Sequence, residues 1–191
     1  MEILNTAEKM YRYCEKNGFG RGFTKRSAIK HFEIIEVSLQ NDENVYMCFM
    51  GLHNHREGGG SDGNYAYAIT NKRIIMAQKK AFGQNLQSVL LENLNDITVS
   101  TGILSGIVVI DTMKEVFNVS TTNKEAKNIC EKVHEVLLSL KEQKDKVNTA
   151  NTAMPNAFSG ADEIMKYKNL LDAGIITEEE FNKKKQQILE L

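Results

Sequence analysis

The sequence predicts an α+β chain: an antiparallel β-barrel or sandwich of six or seven short strands, closed by a C-terminal helix, with N-terminal helices before it and a helical hairpin after it. Three observations predict this. Between residues 44 and 122, short apolar runs are punctuated by glycine and polar turn clusters, the pattern of successive hairpins. On both sides of that zone the apolar spacing changes to three and four residues, the helical period. The chain is 191 residues long, 41% hydrophobic and 26% charged, ordinary for a globular protein with enough length to bury one sizeable core.

The N-terminal zone, residues 1–40, reads as two helices. Asn5 is expected to cap the first, with Glu8 three residues on, and Ala7, Met10, Tyr11 and Cys14 follow at helical spacing until Asn17-Gly18. After a short loop, Phe19 to Phe23, Thr24 is the expected cap of a second helix. Its apolar stripe is Ala28, Phe32, Ile35 and Leu39.

The strand zone begins at Val45, where Val45 to Met50 has almost no polar relief. Glu57 to Gly63 reads as a flexible glycine-rich loop. Tyr65, Tyr67 and Ile69 share one strand face, Thr70-Asn71 turns the chain, and Ile74 to Met76 returns. Leu86–Leu91, Ile97–Val99, Ile107–Ile110 and Val116–Val119 complete the set, the last two as a hairpin turning at residues 112–115. Thr122 with Glu125 reads as the capped start of a closing helix. Its stripe, Ala126, Ile129, Cys130, Val133, Leu137 and Leu140, is expected to lie across the sheet or one barrel mouth.

Residues 142–160, charged and then rich in Asn, Thr, Ala and Ser, read as a flexible linker. Residues 161–191 read as a helical hairpin. Ile164, Tyr167, Leu170 and Leu171 form the first stripe, and Gly174 is the expected stop. Thr177 is the next cap, with Glu180 three residues on and Ile176 and Phe181 as a hydrophobic staple.

Charge excludes some functions. With 24 basic against 25 acidic residues the net charge is −1, so no global field drives the chain onto nucleic acid, and no nucleic-acid reading motif is present. Cys14, Cys48 and Cys130 form no Cys-x-x-Cys pair. The odd count, and the absence of a signal-like N-terminal stretch, give a cytoplasmic expectation. The longest apolar run, Gly102 to Ile110, is too short to cross a membrane.

Catalytic chemistry finds little support. His53 and His55 flank Asn54 near a strand end and are placed to share a sheet face, but no third ligand accompanies them, so neither metal nor cofactor is expected. The glycines at residues 18–22 follow a helix rather than a strand, and Gly58 to Gly60 lack a following Gly-Lys-Ser/Thr, so neither reads as a phosphate loop. No nucleophile elbow or zinc helix occurs, and the chain is not expected to be an enzyme. One charge feature stands out: no acidic residue lies between Asp62 and Glu92, while Lys72, Arg73, Lys79 and Lys80 all do. On one barrel rim these four would meet anionic lipid headgroups, the alternative to a purely protein-binding role.

Residues 44–140 resemble the bacterial pleckstrin-homology (PH) fold, through Tyr67-Ala68-Ile69-Thr70-Asn71-Lys72-Arg73-Ile74-Ile75-Met76 and the single closing helix. The resemblance implies a seven-stranded barrel with a helix across one opening, over a domain of residues 41–141. Eukaryotic relatives usually carry a tryptophan in that helix. This chain has none, so no phosphoinositide-binding residues are carried over. Residues 161–191 resemble the SHOCT (short C-terminal) domain, through Leu170-Leu171-Asp172-Ala173-Gly174-Ile175-Ile176-Thr177-Glu178-Glu179-Glu180-Phe181 and then Lys184, Lys185, Ile188 and Leu189. That resemblance implies a small interaction or oligomerisation element.

The hairpin's composition points the same way. About 30 residues without disulfide or metal cannot supply a self-sufficient core. Yet Leu170, Leu171, Ile175, Ile176, Phe181, Ile188 and Leu189 are all apolar, each gaining roughly 1.5–3 kcal/mol on full burial. These seven are the expected partner-binding residues, for a protein partner or a second copy in a homo-oligomer.

Overall fold

The computed structural model describes residues 1–20, 22–56, 60–152, 164, 167–171 and 176–188. Much of the expected glycine loop, the expected stop at Gly174, and Ile175, Leu189 and Leu191 lie outside the described residues. The chain divides into two compact units, Met1–Lys141 and Glu142–Leu191.

The first unit opens with helices α1 (Ala7–Asn17) and α2 (Lys25–Ser38). Among the described residues seven strands follow: β1 (Val45–His53), β2 (Gly63–Thr70), β3 (Arg73–Lys79), β4 (Gln84–Leu90), β5 (Leu94–Thr101), β6 (Gly106–Thr112) and β7 (Val116–Thr121). Helix α3 (Asn123–Thr152) comes after them. All the strands belong to one antiparallel sheet, in the order β4-β3-β2-β1-β7-β6-β5, with β4 and β5 at its edges. This is a PH-like α+β architecture.

Nearly unbroken burial along β1, β2 and β3 shows why β1 lacks polar relief: both faces of these strands are covered. Register sorts the two faces. Phe49 lies opposite Tyr67, and Tyr67 opposite Met76, so these three share one face. On it Phe49 and Tyr67 stack with ring centroids 4.6 Å apart, and His53 stacks on Tyr65 at 4.2 Å with Phe117 of β7 at 5.4 Å. The other face carries Cys48, Met50, Ala66, Ala68 and Ala77. It meets the N-terminal helices: the Cys48 thiol donates to the Met10 carbonyl at 3.2 Å, and the Cys14 thiol to the Cys48 carbonyl at 3.4 Å. Small alanines at the centre of that face let the helices seat closely. The N-terminal helices therefore share one core with the strands.

Asn5 does not cap α1. Thr6 does, its hydroxyl accepting from the Lys9 amide at 3.3 Å. Asn5 is used for tertiary structure instead: its Oδ1 accepts from the Val45 amide at 2.8 Å, and its Nδ2 donates to Asn44 Oδ1 at 2.9 Å. The expected cap of α3 is present. Thr122 Oγ1 accepts from the Glu125 amide at 3.2 Å, and the Glu125 carboxylate also accepts from the Gly20 amide at 2.6 Å, fastening the interhelical loop to the α3 start. Gly106 lets β6 approach that start, since a Cβ there would stand 2.6 Å from the Ala126 Cβ and 2.9 Å from the Asn123 Cα. Further along α3 the Cys130 thiol donates to the Ile97 carbonyl of β5 at 3.3 Å. The helix continues to Thr152, well into the segment that composition assigns to a linker. Lys141, Glu142, Gln143 and Lys144, the exposed residues that follow the buried Leu140, are strong helix formers.

Candidate functional site

In the second unit residues 167–171 are helical, and α4 spans Glu178–Ile188. The start of α4 is the capping box that the spacing predicts. Thr177 Oγ1 accepts from the Glu180 amide at 3.3 Å, and the Glu180 carboxylate accepts from the Thr177 amide at 2.8 Å. These bonds from the Thr177 amide and hydroxyl hold the Glu180 carboxyl below the usual range. Three glutamates in the first turn and Lys185 in the last both suit the helix dipole. Among the described residues of this unit no residue of α4 is buried, Leu170 is 36% exposed, and Leu171, Ile176, Phe181 and Ile188 are half-buried.

The four basic residues do not share a rim. Lys72 and Arg73 stand at the start of β3, and Lys79 and Lys80 at its far end, roughly 20 Å along the strand. Arg73 is not a free cation. Its Nε donates to Glu43 Oε1 at 2.9 Å and its Nη2 to Glu43 Oε2 at 3.0 Å and to the Ser38 carbonyl at 2.8 Å. Glu43 is 2% exposed and also accepts from the Thr70 hydroxyl at 2.9 Å. Burial alone would raise the Glu43 carboxyl. Hydrogen bonds from Arg73, the Gln40 amide and Thr70 outweigh it and hold the group below its ordinary value. Lys72 Nζ donates to the Asn41 carbonyl at 2.7 Å, and Asn71 bridges the Asn44 amide and the Asp42 carbonyl. The Thr70-Asn71-Lys72-Arg73 motif thus ties the β2–β3 turn to the segment entering β1. Sequence reading found its residues and missed this role, because Glu43 lies 30 residues away from Arg73.

His53 and His55 do not form a pair. Asn54 between them has φ 51°, in the left-handed region, which ends the strand alternation. His53 is fully buried with its Nδ1 2.6 Å from the Tyr67 hydroxyl, whereas His55 is partly exposed beyond the end of β1. Among the described residues no three His, Cys, Asp or Glu side chains gather as a metal-binding group. Burial lowers the His53 pKa against a small opposing pull from Asp62, so the neutral ring is favoured in the fold. The unfolded chain therefore binds a proton near pH 6.5 that the folded chain refuses, and stability falls as pH drops below that value. Urea midpoints measured from pH 7.5 to 5.5 should fall more steeply for the wild type than for His53→Phe; equal slopes would refute this.

A family model described as a bacterial PH domain matches residues 39–135, from the end of α2 into α3. A second, described as a short C-terminal domain, matches residues 162–189. No curated protein matches the chain.

Proposed function

Because this chain belongs to the bacterial PH domain family and carries a SHOCT domain after it, we propose that it is a non-enzymatic scaffold whose C-terminal hairpin associates with a second copy or captures a protein partner. Both domain types are interaction modules, typically without catalytic chemistry. One observation carries the reading: the helical residues 167–171 and the capped helix α4, with the residue before its cap, leave Leu170, Leu171, Ile176, Phe181 and Ile188 half-buried or more exposed. Covering them against a partner contributes free energy that water does not. Ile175 and Leu189 complete the proposed contact set. No helix among the described residues is long and apolar enough to cross a membrane. The alternative of a lipid-reading rim draws no support from the geometry, since Arg73 is held by Glu43 and Lys79 and Lys80 stand apart from it.

The test uses the full chain with Phe181→Asp and Ile188→Asp together. Light scattering should show self-association weakened at least about tenfold, or retention of a co-purifying protein lost, because two charges would enter an apolar contact. Circular dichroism should show unit 1 unchanged. An unaltered mass together with unaltered partner retention would end the hairpin reading.

A further inference from the structure

The two edges of the sheet are unlike. β5 carries the acidic Asp96 and a register irregularity between Leu94 and Asp96, both devices that discourage pairing with another strand. β4 carries neither. Its register with β3 is unbroken from Gln84 to Leu90, and it contains no charge, proline or glycine. The uncharged stretch extends from Ala81 to Leu91. Among the described residues no strand pairs with the outer edge of β4, which leaves a row of backbone amides and carbonyls.

We propose that β4 pairs antiparallel with β4 of a second copy about a two-fold axis at Gln87, joining two seven-stranded sheets. Only another strand supplies the alternating donors and acceptors such an edge requires. The sequence of β4 fits its own reverse. With Gln87 facing Gln87, Leu86 lies opposite Ser88, Asn85 opposite Val89, and Gln84 opposite Leu90. No like charges meet. Leu86 and Leu90 lie on one strand face, 45% and 46% exposed, and this register sets Leu86 diagonally next to both Leu86 and Leu90 of the second copy, so the four leucines form one zigzag row across the seam. Val37 of α2, 86% exposed, lines the same groove as Leu86 and flanks that cluster. A two-fold contact of this kind closes on itself and makes a dimer rather than a fibre.

This surface is different from the hairpin, and the experiment separates the two. In the full chain, Gln87→Cys should give a disulfide-linked dimer under mild oxidation with oxidised glutathione, while Thr98→Cys on β5 stays monomeric on a non-reducing gel. Leu86→Lys with Ser88→Lys, which sets lysines opposite one another, should raise the dimer dissociation constant at least about tenfold with circular dichroism unchanged. The same dimer should persist in the Phe181→Asp, Ile188→Asp chain. A monomer at all concentrations, equal cross-linking at position 98, or a dimer indifferent to the two lysines overturns the proposal. Hairpin variants that abolish all association while the β4 variants do nothing also overturn it, and leave the hairpin reading standing.

Discussion

Replacing Arg73 by alanine should destabilise the first unit by about 3–5 kcal/mol, the range for breaking a buried ion pair from one side. The guanidinium is 14% exposed and the Glu43 side chain not at all, so the variant leaves a carboxylate in the interior with only the Thr70 hydroxyl and the Gln40 amide upon it. Urea unfolding followed by the tyrosine near-ultraviolet signal measures this. Glu43→Leu combined with Arg73→Met should recover most of the loss, because removing both charges leaves neither uncompensated. Acid gives an independent sign. The Glu43 pKa is depressed in the fold, so its contribution is present above the ordinary carboxyl range near 4.5 and is lost as pH falls through the folded value. The Arg73→Ala chain should lack that acid-sensitive component. A loss under about 1 kcal/mol would show the pair to be an exposed contact in practice.

The same pair shows where sequence reading stops. Thr70-Asn71-Lys72-Arg73 was legible as a turn, and four cations without nearby acids in the chain suggested a charged rim. The acid that neutralises Arg73 arrives from the segment before β1, a neighbour made by folding and invisible to spacing. The separation of Lys79 and Lys80 from it follows from strand length alone, and was available from the sequence. Local signals fared well: Thr24, Thr122 and Thr177 each cap the helix that follows, because a cap needs only the next three residues. Asn5 failed for the opposite reason, since its side chain is engaged by residues about forty positions on. The position of α1 and α2 was half-written in β1. A strand without alternation must be covered on both faces, and Cys48 and Met50 name the face that the helices cover. What no periodicity announced is the contact of Cys14 with Cys48, 3.7 Å between sulfurs, which joins α1 to β1.

Coverage on both faces also sets the second large effect. Phe49 is 1% exposed, stacks on Tyr67 with an interplanar angle of 1°, and sits mid-strand on the face of β1 opposite Cys48. Phe49→Ala should cost about 3–5 kcal/mol, by lost transfer energy and by a void its neighbours fill poorly. Collapse is restricted from both sides of β1: behind, Cys48 holds α1, and on Phe49's own face Gly51 has Val119 so close that a Cβ would stand 2.5 Å from it. A strand free on one side would shift into the cavity; this one has packed atoms on both. The cost should therefore fall at the upper end of the range. By contrast Leu138→Ala, on the exposed side of α3 at 60% exposure, should change stability by less than about 0.5 kcal/mol. Thermal melts of the two variants beside wild type give the comparison. If Phe49→Ala lost no more than Leu138→Ala, the close packing of Phe49 against Tyr67 on the aromatic face of the sheet would be wrong.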